Sequence, residues 1–251
     1  MKWDADKYNK ACLPITNKGR ELIYILEQKQ CRKVLDIGCG TGVLTNEIAM
    51  FADEVVGIDS SDDMIKKATA AFSNIEFMVM DAKDIKWVQR FDGVFSNAVF
   101  HFIKNQDQLL SNINRVLLEG GILVCEFGAE GNISDILEAF ERICLSKGKS
   151  FTNRFYYPSE EEYTELLTQH GFLSEVTVYD TKTSLIGETG LRDWLSIVFN
   201  VELSCYDDNT KLAIFNELED VLRKDHYSDG WYIMNRRIRV IAKKEYKKVQ
   251  G

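Results

Sequence analysis

Val34-Leu35-Asp36-Ile37-Gly38-Cys39-Gly40-Thr41-Gly42 runs from an apolar strand into a glycine-rich turn, and the helical stretch Thr41–Met50 follows. Glycine at 38, 40 and 42 lets the backbone turn tightly and lets a ligand approach the main chain, because no Cβ intervenes. Strand, glycine turn and helix in that order make the first unit of a parallel α/β sheet, whose ligands sit at the carboxyl ends of the strands. A dinucleotide fingerprint also calls for Gly or Ala at position 43, so that the helix start can hold a pyrophosphate. Val43 stands there instead. Asp36 adds a carboxylate that repels a pyrophosphate and suits the ammonium or hydroxyls of a cationic, phosphate-free ligand. Both features disfavour a nicotinamide-dependent oxidoreductase.

Working outward, short apolar runs at Lys33–Ile37, Glu54–Ile58, Ile75–Val79, Phe91–Ser96 and Ile122–Phe127 predict strands. Between them Ser61–Phe72 and Asn105–Leu117 carry apolar residues at helical spacing, as in Met64, Ile65, Ala68 and Phe72. Ser60 with Asp63 reads as a capping box for the first of these helices. Beyond Gly128 the pattern predicts helices over Ile133–Lys147 and Ser159–His170, a strand Ser174–Tyr179, helices over Gly190–Tyr206 and Asn209–Arg223, and a last strand Arg237–Ala242. The expected architecture is a Rossmann-like, doubly wound α/β fold with a seven-stranded sheet. Its last strand is antiparallel, and a helical cap is inserted between the last two strands. One domain is expected over 1–251, with an N-terminal segment to about residue 30, a cofactor-binding core over 31–128 and a C-terminal part over 129–251 that carries the cap at about 183–230.

A chain of 251 residues buries roughly 70–75% of its unfolded surface, enough for a self-sufficient core. With 28% charged residues and only 2 Pro it shows no disordered or fibrous bias. Its net charge of −8 disfavours nucleic acid as a partner. The basic cluster of Arg236, Arg237, Arg239, Lys243, Lys244, Lys247 and Lys248 reads as a solvated strand face. No signal-peptide run or membrane-length apolar stretch is present, and the 6 Cys show no ligand or disulfide spacing, so a cytoplasmic protein with free thiols and no metal is expected. Either a monomer or a homodimer is compatible with the sequence.

Acids recur at the ends of successive strands: Asp59 follows Asp36 by 23 residues and Asp81 follows Asp59 by 22. A carboxylate after the second strand can take a ribose diol, and Asp81-Ala82 after the third can meet an adenine amino group beside a small side chain. Ser96-Asn97-Ala98 offers polar and small groups to the same crevice. An isolated Asp usually caps a loop. Three in register with a glycine loop point to a nucleoside-type ligand.

These residues together resemble the class I S-adenosylmethionine-dependent methyltransferases, whose glycine motif reads as Val34 to Gly42 does. The resemblance covers about Arg32 to Phe127 and implies S-adenosyl-L-methionine as cofactor. By similarity Asp36, Gly38, Cys39, Gly40 and Gly42 would surround its methionine part, Asp59 with Ser60 and Met64 its ribose, and Asp81 and Ala82 its adenine. Asn97, Ala98 and His101 would line the methyl-donor side. The flanks, Trp3-Asp4-Ala5 with Tyr8, Phe91 to Ala98 with His101-Phe102, Tyr156, and Asp229-Gly230-Trp231, resemble trans-aconitate and malonyl-carrier-protein methyltransferases. Phe102 departs from the first group, which usually has Trp there, and the cap follows neither group.

That second resemblance implies O-methylation of a carboxylate, on a small molecule or a carrier-bound acid, with neither nucleic acid nor membrane as partner. A carboxylate, with a pKa of about 4, is already ionised at neutral pH, so no general base is assigned. The work left to the protein is alignment and exclusion of water. Substrate-pocket candidates are Trp3, Tyr8, His101, Arg154, Tyr156 and Trp231, with Arg154 as first choice for a carboxylate fork, Arg236 as second, and Trp194 as a further wall of the cap. Two alternatives stay open: N- or O-methylation of another acceptor, with His101, Tyr156 or a cap residue as base, and a cofactor-binding sensor or interaction protein without turnover.

Overall fold

The computed structural model describes residues 13–246. The first helix, α1 (Leu13–Gln28), precedes β1 (Lys33–Ile37), α2 (Val43–Ile48), β2 (Glu54–Asp59), α3 (Asp62–Ala71), β3 (Glu76–Val79) and β4 (Phe91–Asn97). Then come α4 (Gln106–Val116), β5 (Leu117–Gly128), α5 (Ser134–Ser146), α6 (Glu160–Gln169) and β6 (Phe172–Ser184). Helices α7 (Gly190–Val198), α8 (Asn200–Leu203) and α9 (Asp208–His226) lead to β7 (Tyr232–Lys244).

The strands form one sheet in the order β3-β2-β1-β4-β5-β7-β6. Pairs from β3 to β5 are parallel, whereas β7 runs antiparallel to both β5 and β6. The order therefore reverses between β1 and β4, and that switch point opens a crevice at the carboxyl ends of the strands. The seven-stranded, doubly wound expectation is met, and α7 to α9 lie between β6 and β7 as expected of the cap.

Both faces of the sheet are covered because β1, β4 and β5 are apolar on both sides. One face packs Leu110, Ile113 and Val116 of α4 with Tyr163 and Leu167 of α6. The other packs Leu22 and Leu26 of α1 with Leu44 and Ile48 of α2. A third cluster, in the cap, joins Ile136 and Phe140 of α5 with Trp194, Leu195, Phe199 and Leu218. Each such side chain contributes about 1.5–3 kcal/mol on burial.

Local chemistry sets the helix starts. The Asn105 side chain accepts from Gln108 N and caps α4, and Ser159 accepts from Glu162 N, with three acids in the first turn of α6. At α3 the cap is Ser61, whose Oγ accepts from Met64 N at 3.4 Å. The expected capping role of Ser60 is thus corrected, and Ser60 is left facing the crevice. Two further boundaries differ from expectation. The β6–β7 pair is much longer than predicted, in register from Phe172↔Lys244 to Ser184↔Tyr232, because its polar residues Thr181, Thr183 and Asn235 hide strand periodicity. The stretch 190–206 breaks at Phe199, whose ring stacks on Phe140 with centroids 4.3 Å apart.

Candidate active site

A cavity of about 320 Å³ lies at the carboxyl ends of β1, β2 and β4 and continues under the cap. Its size is in the range of small-molecule sites. The first end is built by the glycine turn. Gly38 N and Cys39 N both donate to Ile58 O, at 2.8 and 3.0 Å, which folds the turn over the end of β2. Gly38 has φ +75°, and a Cβ there would stand 2.3 Å from Val99 Cγ2, so this position admits glycine alone. Asp59 Oδ2 accepts from Gly40 N at 3.1 Å and Oδ1 from Ser61 N at 2.8 Å. These bonds aim the carboxylate while each oxygen keeps a free lone pair. Burial is the main cause that raises the Asp59 pKa, and the two backbone bonds oppose it.

Gly38, Gly40, Asp59, Ser60, Met64, Asp81, Ala82 and Ala98 all line this end, as expected, with Ile58, Met80 and Ile103 as apolar sides. Asp36, Cys39, Gly42 and Asn97 do not line it. Asp36 is 2% exposed and lies behind the turn, where Thr45 Oγ1 donates to its Oδ2 at 2.6 Å. Asn97 turns toward α1 and donates to Ile15 O at 3.3 Å. The set fits a nucleoside-type ligand: an oriented carboxylate for a diol and apolar sides for a base.

The second end has a different character. Phe102, Ile133, Phe155 and Tyr157 form one wall, and Trp194, Ile197 and Val198 of the cap form the other. Its polar groups are His101, Asn132, Asn235 and Arg237. Arg237 is held by Glu126, with Nε to Oε1 at 3.2 Å, and Glu126 also accepts from Arg239 Nε at 2.8 Å and Tyr179 Oη at 2.6 Å. One buried carboxylate thus serves two guanidinium groups. Lys18 of α1, on Thr181 and Thr183 of the same strand pair, has its ammonium pKa lowered by burial and by Arg237.

His101 accepts from Gly128 N through Nδ1 at 3.3 Å, so its remaining ring proton is on Nε2. Burial first, and then Arg237 and Arg154, drive its pKa well below the ordinary value, so the ring is neutral. Tyr157 is pushed up by burial and stays protonated, with the same two arginines opposing the shift. The charges acting on both groups are positive, the opposite of the acid-lined first end.

Several expected pocket residues are corrected. Arg154 Nε pairs with Glu202 Oε1 at 2.7 Å and its Nη2 donates to Val198 O at 2.7 Å. Its plane also lies over the rings of Phe102 and Phe155, so it braces the wall from behind and does not line the cavity. Tyr156 points away from Tyr157, as adjacent residues of an extended segment do, and donates to Glu162 Oε1 at 2.8 Å. Trp231 is 2% exposed in the cap cluster, against Tyr227 and Arg223. Arg236 is solvent-facing, beside Asp180 at 4.0 Å, while its neighbour Arg237 turns inward. Trp3 and Tyr8 lie outside the described residues.

Sequence reasoning missed Glu126, Arg237, Asn132, Asn235 and Tyr157. One signal was available: Glu126 is the lone acid in an otherwise apolar central run, Ile122 to Phe127, and a buried charge needs a cation.

This geometry defines a Rossmann-like α/β protein with a two-ended ligand cavity at its switch point. A family profile described as a methyltransferase domain matches residues 28–171. An uncharacterized methyltransferase of Schizosaccharomyces pombe is 32% identical over 97% of this chain and 98% of its own length. Malonyl-[acyl-carrier protein] O-methyltransferase 2 of Ilyobacter polytropus is 25% identical over 89% of this chain and 87% of its own. Trans-aconitate 2-methyltransferase of Azoarcus sp. is 30% identical over 49% of this chain and 50% of its own. Among solved structures, the YcgJ protein of Bacillus subtilis shares the fold with a TM-score of 0.64 at 14% identity, covering 90% of this chain and 99% of its own. The chain belongs to the class I S-adenosylmethionine-dependent methyltransferases, and S-adenosyl-L-methionine is its cofactor.

Proposed function

We propose that this enzyme transfers the methyl group to a carboxylate oxygen of an acid with an apolar body, free or carried on a larger group. The observation that carries this reading is Arg237, a buried cation lining the acceptor end and held there by Glu126. A guanidinium matches a carboxylate in shape and charge. The absence of an available base among the described residues of that end supports the same reading. His101 has Nδ1 occupied and Nε2 protonated, Tyr157 is held neutral, and Glu126 is engaged by Arg237, Arg239 and Tyr179. An amine or phenol would have to lose a proton before attack, whereas a carboxylate arrives as a nucleophile. Names of two relatives point the same way, one to O-methylation of a malonyl carrier protein and one to trans-aconitate.

Bound S-adenosylmethionine supplies a methyl group on an electrophilic sulfonium. Asp59 and Ser60 would hold its ribose, Asp81 and Ala82 its adenine, and Gly38, Gly40 and Ala98 the part nearest the acceptor. Arg237 and Asn235 would orient the acid. Phe102, Phe155, Trp194 and Val198 would cover its apolar body and exclude water, which strengthens the charge pairing inside.

The test is transfer of label from methyl-labelled cofactor to a panel of dicarboxylic and tricarboxylic acids, acyl carrier thioesters, amines and phenols. The expected product is an ester that releases its label in mild alkali. An alkali-stable product would show a different acceptor class, and binding without transfer to any member would show a sensor. Arg237→Ala is expected to raise the acceptor KM by about 30-fold or more, the loss of one charged hydrogen-bond pair, with S-adenosylhomocysteine affinity unchanged in calorimetry.

A further inference from the structure

His226, the last residue of α9, is 1% exposed and does not line the cavity. Its Nε2 is 2.6 Å from Asp135 Oδ2, in the first turn of α5, and its Nδ1 is 3.0 Å from the carbonyl oxygen of Tyr232, at the start of β7. A carboxylate and a carbonyl can only accept. A neutral imidazole has one N–H and would leave one of these acceptors facing a lone pair, so the arrangement calls for the imidazolium.

Asp135 is fixed in turn, because its Oδ1 accepts from Ile136 N at 2.8 Å. Two residues before it, Ile133 adopts φ +49°, a conformation that a β-branched residue keeps only where its surroundings over-determine it. Asn132 and Ile133 line the acceptor end, and Asn132 Oδ1 accepts from Arg236 N, next to Arg237.

We propose that His226 is a positioning residue whose imidazolium ties the end of the cap to α5 and β7 and so holds the turn through Asn132 and the left-handed Ile133 against the acceptor. The link to the acceptor rests on the function proposed above, while the clamp rests on its own contacts. The charged groups that act on the ring are Asp135 from α5 and Asp225 from α9 itself, while Lys182 of β6 lies over the ring of Tyr232, which neighbours the imidazole. The two acids favour the charged ring, and its pKa is accordingly raised, with Asp135 as the main cause and burial opposing.

Two measurements on the full chain test this. Nitrogen-15 spectra of the His226 ring from pH 5 to 9 are expected to show both nitrogens protonated at pH 6 and a midpoint above that of Asp135→Asn. Hydrogen exchange at pH 6 is expected to quicken about tenfold at amides 131–136 in Asp135→Asn and His226→Gln, the effect of one lost charged bond, with β1 and β4 unchanged. A singly protonated ring at pH 6 would overturn the proposal, as would exchange that rises equally everywhere or not at all at 131–136. Should the variants fail to fold, the wild type still decides: protection at 131–136, corrected for intrinsic rate, falls as the ring loses its proton. An alkali-stable methyl product would remove the carboxylate reading and leave these results untouched.

Discussion

Asp36 illustrates what burial does to one residue. Its carboxyl is enclosed behind the glycine turn, and desolvation lifts its pKa from 3.8 to about 7, with the Thr45 bond opposing and the Asp59 charge adding to the shift. The folded chain therefore binds this proton more tightly than the unfolded chain. The stability so contributed is complete below about pH 4 and is lost as pH rises through 7. His226 acts in the same sense over a higher window, from 6.5 upward, since its folded pKa is also raised. His101, held neutral in the fold, adds stability as pH rises toward 6.5 and so opposes this trend there. Thermal melts of the apoprotein should therefore fall from pH 7 to 9, and between pH 5 and 7 the melting temperature of Asp36→Asn should rise with pH relative to that of the wild type. Asp59 lines the cavity, and on the ribose role proposed for it Asp59→Asn should weaken S-adenosylhomocysteine binding by about 100-fold in calorimetry, as expected for two lost charged hydrogen bonds, with melting little changed.

Among the elements, β2 passes so close to its neighbours that one position admits no side chain. A Cβ on Gly57 would stand 2.7 Å from Phe77 Cδ1 and 3.1 Å from Cys39 Cβ. The constraint is steric and couples β2 to both β3 and the glycine turn. Gly57→Ala should cost about 1–3 kcal/mol in urea unfolding, the usual range for an overpacked core, and should loosen cofactor binding through Cys39. The pairing of β6 with β7 carries a different lesson. Those strands alternate buried and outward residues, and the alternation places Asn235 and Arg237 inward while Arg236 faces out. A reading by composition saw only a basic cluster, because it could not assign the parity of the strand.

On the scale of the molecule, the described apolar interior divides into sheet clusters and a cap cluster of Phe140, Trp194, Phe199 and Leu218. The cap helices share their apolar cluster with α5 and Ile233 of β7 rather than with the helices that cover the sheet, and polar links such as Arg154 to Glu202 and His226 to Asp135 add to it. Elements with few shared apolar contacts open at lower free energy. Hydrogen exchange should therefore show α7 to α9 opening ahead of β1, β4 and β5, and S-adenosylhomocysteine, which is expected to bind mainly to the sheet end, should protect β1 and β2 more than the cap. Uniform exchange across cap and sheet would contradict this division. The cavity joins an acidic end on the sheet to a cationic end beside the cap, so its polarity follows the path from donor to acceptor.

How much of this was legible in the sequence depended on the range of the interactions. Apolar runs, helical spacing and the turn from Gly38 to Gly42 are local signals, and they determined the doubly wound sheet and placed Asp59, Ser60, Asp81 and Ala82 at strand ends. The acceptor end depends on long-range contacts. Arg154 and Arg237 have the same side chain, and only tertiary structure engages one with Glu202 at the cap and aims the other, held by Glu126, into the cavity. The physical reason is that a charge acquires its role from its partners and its burial, and those partners are brought together only by folding.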